Sequence, residues 1–265
     1  MGGWSKYRRL LWMQIRTSLT YAMQYRLDFL IEGVVSIFWV GVTLIPLIVV
    51  FGKRETIAGW TYDEALVVVG MFVLLKGVLE GAITPSLMAV VEHIRKGTLD
   101  FVLLKPADAQ FLVSTTKLQP WSLIDVFGGA IVIVAAFVRM GTHPGPVQVA
   151  AGAGVLAAAV LVLYSIWILV ISLAFFVVRV DNLSYLFTSI FDAARWPISV
   201  FRGPVRFAFT FILPLAVMTT YPAMALLGTL ETSVLLASTL GALAFAVFAR
   251  QVWKQAIRRY TSASS

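Results

Sequence analysis

The chain has 265 residues, of which 60% are hydrophobic and only 13% are charged. A soluble domain carries about a quarter charged residues, so this composition excludes a soluble fold and predicts a membrane protein. The net charge of +8 comes from basic residues that stand beside apolar runs, a pattern typical of membrane flanks facing anionic lipid, and we therefore expect no nucleic-acid partner.

The N-terminal segment, residues 4–26, mixes aromatic and apolar residues with lysine and arginine. This pattern predicts an interfacial helix with membrane lipid as its partner, its aromatics turned inward and its cations toward the headgroups; a plain basic flank is the alternative. The first long apolar run, 27–51, predicts the first span, because about 20 apolar residues cross the hydrocarbon core. It lacks the small-residue exit of a signal peptide, so we expect it to be retained.

Later apolar runs predict a second span at 65–91 and a third at 121–140. The long uncharged run that follows predicts a fourth span at 149–178, with part of the run lying in the outer interface because it exceeds one span. The last span is predicted at 231–250, before a basic tail. Between the fourth and the last span, hydropathy alone favours 207–230 as the fifth.

Lysine and arginine are concentrated in the N-terminal flank, in the polar loop at 92–120 and in the C-terminal tail. Cytoplasmic flanks carry such an excess, so the pattern indicates an even number of spans with both termini in the cytoplasm. We therefore predict an all-α, polytopic membrane protein with six transmembrane helices.

Among the charged residues of the predicted spans, three are candidates for a translocation path. Lys76 and Glu80 are four residues apart, hence on one helical face, and can neutralise each other; Asp125 stands alone in the third span and can pair with Lys76 or with a partner subunit. A charge in the bilayer costs about 2.5 to 3.5 kcal/mol on insertion scales, so such residues face protein or water. They form either a polar patch on a translocation path or a structural pair.

The loop at 92–120 contains the sequence IRKGTLDFVLLKP, residues 94–106. Gly97 offers a break, Thr98 is a candidate N-cap, and Asp100 favours the positive end of a new helix. A helix of about seven residues is predicted, and Pro106 disfavours its continuation. One apolar face would seek a protein partner or lie in the interface, and it comprises Leu99, Val102 and Leu103.

This loop resembles the cytoplasmic loop of ABC-2 type transporter permeases, in which an acid and a base precede Gly-Thr-Leu-Asp/Glu and a proline follows Leu-Leu. The resemblance extends to the basic start, the six spans and the proline-punctuated stretch FDAARWPISVFRGPVRFAFTFILPLAVMTTYPAMALLG. Within ABC-2 the chain is similar to permeases of about 260 residues that pair with a second permease and a separate ATPase.

The resemblance implies that 95–106 is a coupling helix that docks into the ATP-binding subunit. The residues it assigns to this coupling are Arg95, Lys96, Gly97, Thr98, Leu99, Asp100, Leu103 and Pro106. It also makes 182–201 the fifth span and 204–228 a re-entrant segment, broken by Pro204, Pro214 and Pro222.

No Gly-x-x-x-x-Gly-Lys-Ser/Thr motif occurs, so we expect no ATP binding by this chain and no enzyme activity of its own. Without cysteine, and with His93 and His143 on opposite sides of the predicted membrane, no metal site is expected. The resemblance implies two copies of an ATP-binding subunit that hold ATP and Mg, and a second permease, homologous or identical. It further implies export of a small amphiphile, drug or metabolite through a bacterial cell membrane.

The alternative is an ion- or proton-coupled secondary transporter or channel, which would use Lys76, Glu80 and Asp125. Such carriers often show an internal repeat, and the sequence shows none.

Overall fold

The computed structural model describes residues 3–176 and 181–259, and its long apolar segments are helices. A helix satisfies its own backbone polar groups in lipid, which is why these runs take this form. The helices are α1 (Gly3–Gln24), α2 (Arg26–Phe51), α3 (Tyr62–Val78), α4 (Thr84–Arg95), α5 (Asp100–Leu103), α6 (Ala109–Ser114), α7 (Leu123–Met140), α8 (Pro146–Ser172), α9 (Asp181–Phe191), α10 (Gly203–Phe207), α11 (Tyr221–Leu227) and α12 (Thr232–Arg258).

Short irregular elements join these helices. Strands β1 (Thr56–Ile57) and β2 (Trp60–Thr61) form an antiparallel hairpin before α3. The π-helical turns lie at Leu79–Ile83, Ala208–Ile212 and Ala216–Thr220. The 3-10 turns lie at Pro120–Ser122, Leu173–Phe175, Asp192–Arg195 and Ile198–Val200.

Five helical runs in the described residues are long and apolar enough to cross a membrane. They are Leu27–Phe51, Tyr62–Arg95, Pro120–Met140, Pro146–Phe175 and Thr232–Arg258. The number rises to six if the bent pair Gly203–Ile212 and Ala216–Leu227 is one span. The prediction of an all-α, polytopic membrane protein is confirmed.

The two ends of the bundle differ in charge and in what closes them. We call one the basic end; it comprises α1, residues 96–122 and the last turns of α12. Its parts are joined by hydrogen bonds, among them one from Lys6 to the Pro106 carbonyl and one from the Leu118 N–H to the Ser18 hydroxyl (3.3 Å). The opposite end, which we call the hairpin end, holds the β-hairpin and the turn between α7 and α8.

Glycines let α3 and α7 approach each other closely in the core. A Cβ atom on Gly129 would lie 2.5 Å from the Gly70 carbonyl oxygen and 2.5 Å from the Leu74 nitrogen, so only glycine fits there. Small residues at helix contacts are the usual device for tight packing in membranes. By contrast, most large apolar side chains of α2 are exposed in the part of the chain that the structure describes.

The segment after α8 crosses the bundle without forming one long helix. Phe187 contacts Trp167 of α8, Phe191 contacts Phe72 of α3, and beyond them the Trp60 indole donates to the Ser199 hydroxyl at the hairpin end (2.9 Å). The described helix ends at Phe191, and 3-10 turns replace the rest of the predicted 182–201 span.

The break in this segment has a local cause. Pro197 disfavours helical backbone at the preceding Trp196, which is extended with ψ 140°. The eleven residues of α9 rise about 16 Å, less than the hydrocarbon thickness of about 30 Å. The end of the predicted 149–178 span lies outside the described residues.

The proline-punctuated segment is a bent pair of helical pieces. The chain bends by 70° between its two halves, at a break that contains Pro214. Its beginning, Gly203, lines the same cavity as Ala58 and Trp60 of the hairpin end. Its end, Gly228, lies against Gln148 in the first turn of α8, also at the hairpin end.

Candidate functional site

The predicted coupling loop begins with a tight helix stop at the end of α4. Gly97 is left-handed, with φ 65°; its N–H donates to the Ile94 carbonyl (3.2 Å), and the Thr98 N–H donates to the His93 carbonyl (2.9 Å). These two bonds form a Schellman motif, which satisfies the last carbonyls of a helix. The Thr98 hydroxyl bonds the His93 ring (2.8 Å) and does not cap α5, so the predicted N-cap role of Thr98 is wrong.

The apolar face of α5 differs from the predicted one. Leu99 is 0% exposed, and Val102 and Leu103 pack against the core, so this set faces inward. Phe101 and Leu104 are 70% and 80% exposed instead. The helix has only four residues, and the three apolar residues Leu99, Val102 and Leu103 are used for its contact with the body of the protein. We call the exposed pair, Phe101 and Leu104, the apolar knob.

Behind the knob, α6 is fastened to α8 and α12 by a polar network. The Asp108 carboxylate caps α6 by accepting from the Phe111 N–H (3.0 Å) and forms an ion pair with Arg250 of α12 (2.7 Å). Arg250 also donates to Gln110 (3.0 Å), whose amide donates to the Tyr164 hydroxyl of α8 (3.0 Å).

The same network reaches α1 and sets the charge state of Asp108. The Asp108 N–H donates to the Tyr7 hydroxyl (3.2 Å), and the Tyr7 ring meets Phe111 edge-on at 4.9 Å. Burial raises the pKa of the Asp108 carboxyl, but the hydrogen bonds it accepts from Arg250 and the Phe111 N–H outweigh that effect and hold its pKa below the ordinary value.

Sequence reasoning missed this network. Asp108 precedes an apolar run, which is a helix-start signal, but Arg250 was counted only as part of the basic tail and Tyr164 carried no signal at all.

The candidate residues Lys76, Glu80 and Asp125 line one cavity of about 330 Å³ between α2, the α3–α4 run and α7. Lys76 pairs with Glu80 at 3.8 Å. The Asp125 carboxylate accepts from the Ser36 hydroxyl (2.6 Å), and within the described residues it forms no ion pair with Lys76. Glu80 sits in the π-helical turn Leu79–Ile83, a feature frequent at functional sites.

Sequence reasoning missed one acid of this cavity, Glu32 of α2. It lies near the start of the first predicted span, and nothing in one sequence shows that α2 turns it toward α7. Among the described residues, no group of three or more His, Cys, Asp or Glu side chains is placed to hold a metal ion.

The three prolines of the bent segment stand where a missing N–H is tolerated. Pro204 lies in the first turn of α10, where backbone N–H groups have no helical partner. Pro222 follows directly on the π-helical turn Ala216–Thr220, which already interrupts the regular α-helical hydrogen-bond pattern. Pro214 lies in the break itself.

Comparison with known proteins identifies the family. The profile of ABC-2 family transporter proteins matches residues 37–264, and this confirms the family indicated by the loop motif. No curated protein and no solved structure matches. Members of this family are transmembrane subunits that associate with an ATP-binding subunit and are not themselves ATPases. This multi-pass membrane protein therefore belongs to the ABC-2 family of transporter proteins, in the permease role of an ATP-binding cassette transporter.

Proposed function

We propose that this chain is the permease subunit of an ATP-driven exporter of a small amphiphilic molecule, drug or metabolite. In this proposal two copies of a separate ATP-binding subunit hold ATP and Mg and dock at the basic end. A second permease, homologous or identical, completes the pathway. The basic end faces the cytoplasm, since lysine and arginine are more numerous there than at the hairpin end.

The observation that carries this proposal is the apolar knob on a braced loop. Phe101 and Leu104 are three residues apart on one side of α5, and the described residues leave both largely exposed. Exposed aromatic and aliphatic anchors are the groups that fill pockets at protein interfaces. The loop that carries them is fastened through Asp108 to α12, and through α6 to α8, so a force on the knob reaches the long helices.

Co-purification with a co-expressed ATP-binding subunit tests the knob. We expect the double variant Phe101→Glu and Leu104→Glu to lose that subunit. The variant itself should still elute as a monodisperse species in size-exclusion chromatography, which shows that it is folded. The matched control is Thr229→Glu, which introduces an acid at an exposed position of the hairpin end and should retain the subunit. Leu99→Glu is unsuitable for this test, because a charge at this buried position unfolds the loop. Stoichiometric retention by the double variant would refute the docking proposal.

The remaining residues of the predicted coupling helix support the knob in this proposal. Gly97 sets the turn, Thr98 locks it to His93, and Leu99 and Leu103 anchor α5 on the body of the protein. Other members of the set, namely Arg95, Lys96, Asp100 and Pro106, form its polar surroundings.

The bent segment is proposed to be re-entrant from the outside and the 182–201 segment to be the fifth of six spans. Both ends of the bent segment lie at the hairpin end, at Gly203 and Gly228, which supports a hairpin over a span. Because the chain has no cysteine, single cysteines report topology directly. We expect Arg202→Cys and Thr229→Cys to react with an impermeant maleimide in intact cells, and Lys105→Cys to react only after permeabilisation. Labelling of Arg202 and Thr229 from opposite sides would make the bent segment a span.

A second candidate, an ion-coupled carrier, is favoured by one observation: Lys76, Glu80 and Asp125 line a common cavity. It predicts substrate uptake by the purified chain in ATP-free vesicles under a proton or sodium gradient. Uptake that needs the ATP-binding subunit and ATP would exclude it.

A further inference from the structure

We infer that the cavity between α2, α3–α4 and α7 binds the positively charged group of an amphiphilic organic cation. This names the substrate class of the proposed exporter, and it therefore rests on the proposed function.

The first argument is a surplus of negative charge. Glu32, Glu80 and Asp125 line the cavity together with a single cation, Lys76. Lys76 pairs with Glu80, so two carboxylates remain without a counter-charge among the described residues. Charges at membrane depth pair with one another or face water or a ligand, because an unpaired one is costly.

The second argument concerns Asp125 alone. This residue is only 7% exposed, and its Oδ1 atom accepts from the Ser36 hydroxyl. Its Oδ2 atom has no hydrogen-bond partner within the described part of the chain and is not sealed off from the cavity. A carboxylate that is more than nine-tenths buried and has only one neutral donor is an unfilled acceptor for a cationic donor.

The third argument is the shape and lining of the cavity. Its volume of about 330 Å³ lies at the lower end of the range of small-molecule sites. Trp39 and Trp121 stand in its walls, and indole faces attract cations. Val35 and Met88 add apolar surface for the body of an amphiphile.

The arrangement of the carboxylates argues against an inorganic cation. A metal ion draws three or more oxygen ligands to one point, and no such group exists among the described residues. Carboxylates spread around a cavity match a larger cation that has several N–H groups or a dispersed charge.

The position of the cavity suits a ligand that arrives from lipid. Glu32 lies in the second turn of α2 and Asp125 in the first turn of α7, both near the basic end. The described residues leave the outer side of α2 exposed along most of its length, including Glu32 and Trp39 of the cavity lining, so the cavity adjoins this apolar surface. An amphiphilic cation in the cytoplasmic leaflet places its charge near this depth.

The test uses the full chain, purified alone in nanodiscs, with the fluorescent lipophilic cation rhodamine 6G as the probe. Binding is followed by fluorescence anisotropy. We expect saturable binding that weakens about ten- to a hundred-fold in Asp125→Asn and in Glu32→Gln, the effect of losing a charge-assisted hydrogen bond. Glu55→Gln, at an exposed position of the hairpin end, is the matched control and binds like the parent chain.

Two competitors of similar shape and opposite charge sharpen the test. Tetraphenylphosphonium is expected to displace the probe, and tetraphenylborate is not. Displacement by both, or selective displacement by sodium over choline at equal ionic strength, would overturn the inference. Glu32 is exposed, so Glu32→Gln is expected to fold and keeps the test decisive if Asp125→Asn does not.

Failure of this inference is distinguishable from failure of the proposed function. Binding is measured without an ATP-binding subunit. If both competitors displace the probe while the ATP-binding subunit co-purifies normally, the cation site alone is refuted. Charge-selective binding beside failed co-purification would refute the ATP-driven mechanism and leave the site.

Discussion

Two substitutions of Asp108 separate the helix cap from the ion pair in the polar network. Asp108→Ala removes both the cap of α6, in which the carboxylate accepts from the Phe111 N–H, and the ion pair with Arg250. Asp108→Asn removes the ion pair but retains an oxygen that can cap, because asparagine caps as well as aspartate. The difference between the two variants therefore measures the cap.

The magnitudes follow from the exposure of the pair. A helix cap contributes about 1 kcal/mol to the free energy of unfolding. Asp108 and Arg250 are 33% and 45% exposed, so their pair is closer to a surface ion pair than to a buried one and contributes at most about 1 kcal/mol. We expect Asp108→Asn to cost about 1 kcal/mol and Asp108→Ala about 2 kcal/mol. For a chain of this size these losses lower the unfolding midpoint by about 2–4 °C and about 4–8 °C.

The assay is thermal unfolding of the purified chain in detergent, followed by tryptophan fluorescence. Glu55→Gln is the control for loss of one carboxylate charge at an exposed position, and its midpoint should not move. A double-mutant cycle with Arg250→Ala isolates the pair, since the loss in the double variant should fall short of the sum of the single losses. Equal midpoints for Asp108→Asn and Asp108→Ala would refute the capping role, and an unchanged midpoint for Asp108→Ala would refute the bracing network.

Three further predictions use the same thermal assay. The pKa of Asp108 is lowered in the fold, so the ionised carboxylate stabilises the fold above its unfolded pKa of about 3.9, and this stabilisation is lost as the pH falls through the folded pKa. The difference in unfolding midpoint between the parent and Asp108→Asn should therefore be constant at neutral pH and vanish in acid. Gly129→Ala should lower the midpoint by the equivalent of about 1–3 kcal/mol, because its Cβ atom would clash with the α3 backbone. Gly128→Ala is the control: its Cβ atom would lie 3.5 Å from Val40, and its midpoint should be near that of the parent. Similar losses in both variants would contradict the close approach of α3 and α7. Thr61→Ala breaks the capping box with Glu64 at the start of α3 and should lower the free energy of unfolding by about 1 kcal/mol. Thr61→Ser retains a capping hydroxyl and should be as stable as the parent.

The apolar runs determined the fold class because length and composition suffice for it. A run such as 27–51 has no alternative to a helix in lipid, and the same argument covers α8 and α12. The family followed from the thirteen residues of the loop together with the basic start, the six predicted spans and the proline-punctuated stretch, which are patterns that one sequence displays. What each run packs against was out of reach, because contacts depend on the tertiary arrangement.

The residues that were misjudged show this limit. Thr98 is a good N-cap by type, but the Schellman motif at Gly97 brings it to His93 first. Leu99 and Phe101 are both apolar, and only the way in which α5 packs against the bundle determines which of them is buried. Glu32 joins Asp125 because α2 packs on α7, which no spacing within either helix encodes.

One continuous helical run joins the knob to the charged cavity. Tyr62–Arg95 carries Glu80 near its middle and ends at the turn before α5. On the proposed function, a push on the knob is delivered along α4 toward the cavity. The π-helical turn Leu79–Ile83 is the place where this run can yield, because its hydrogen bonds follow the rarer i→i+5 pattern. Asp125 stands on another helix and is held by Ser36, so motion of the run changes the separation of the carboxylates across the cavity. A cation bound between them would then be released by a shift of one wall, with no change in the charge of any lining residue.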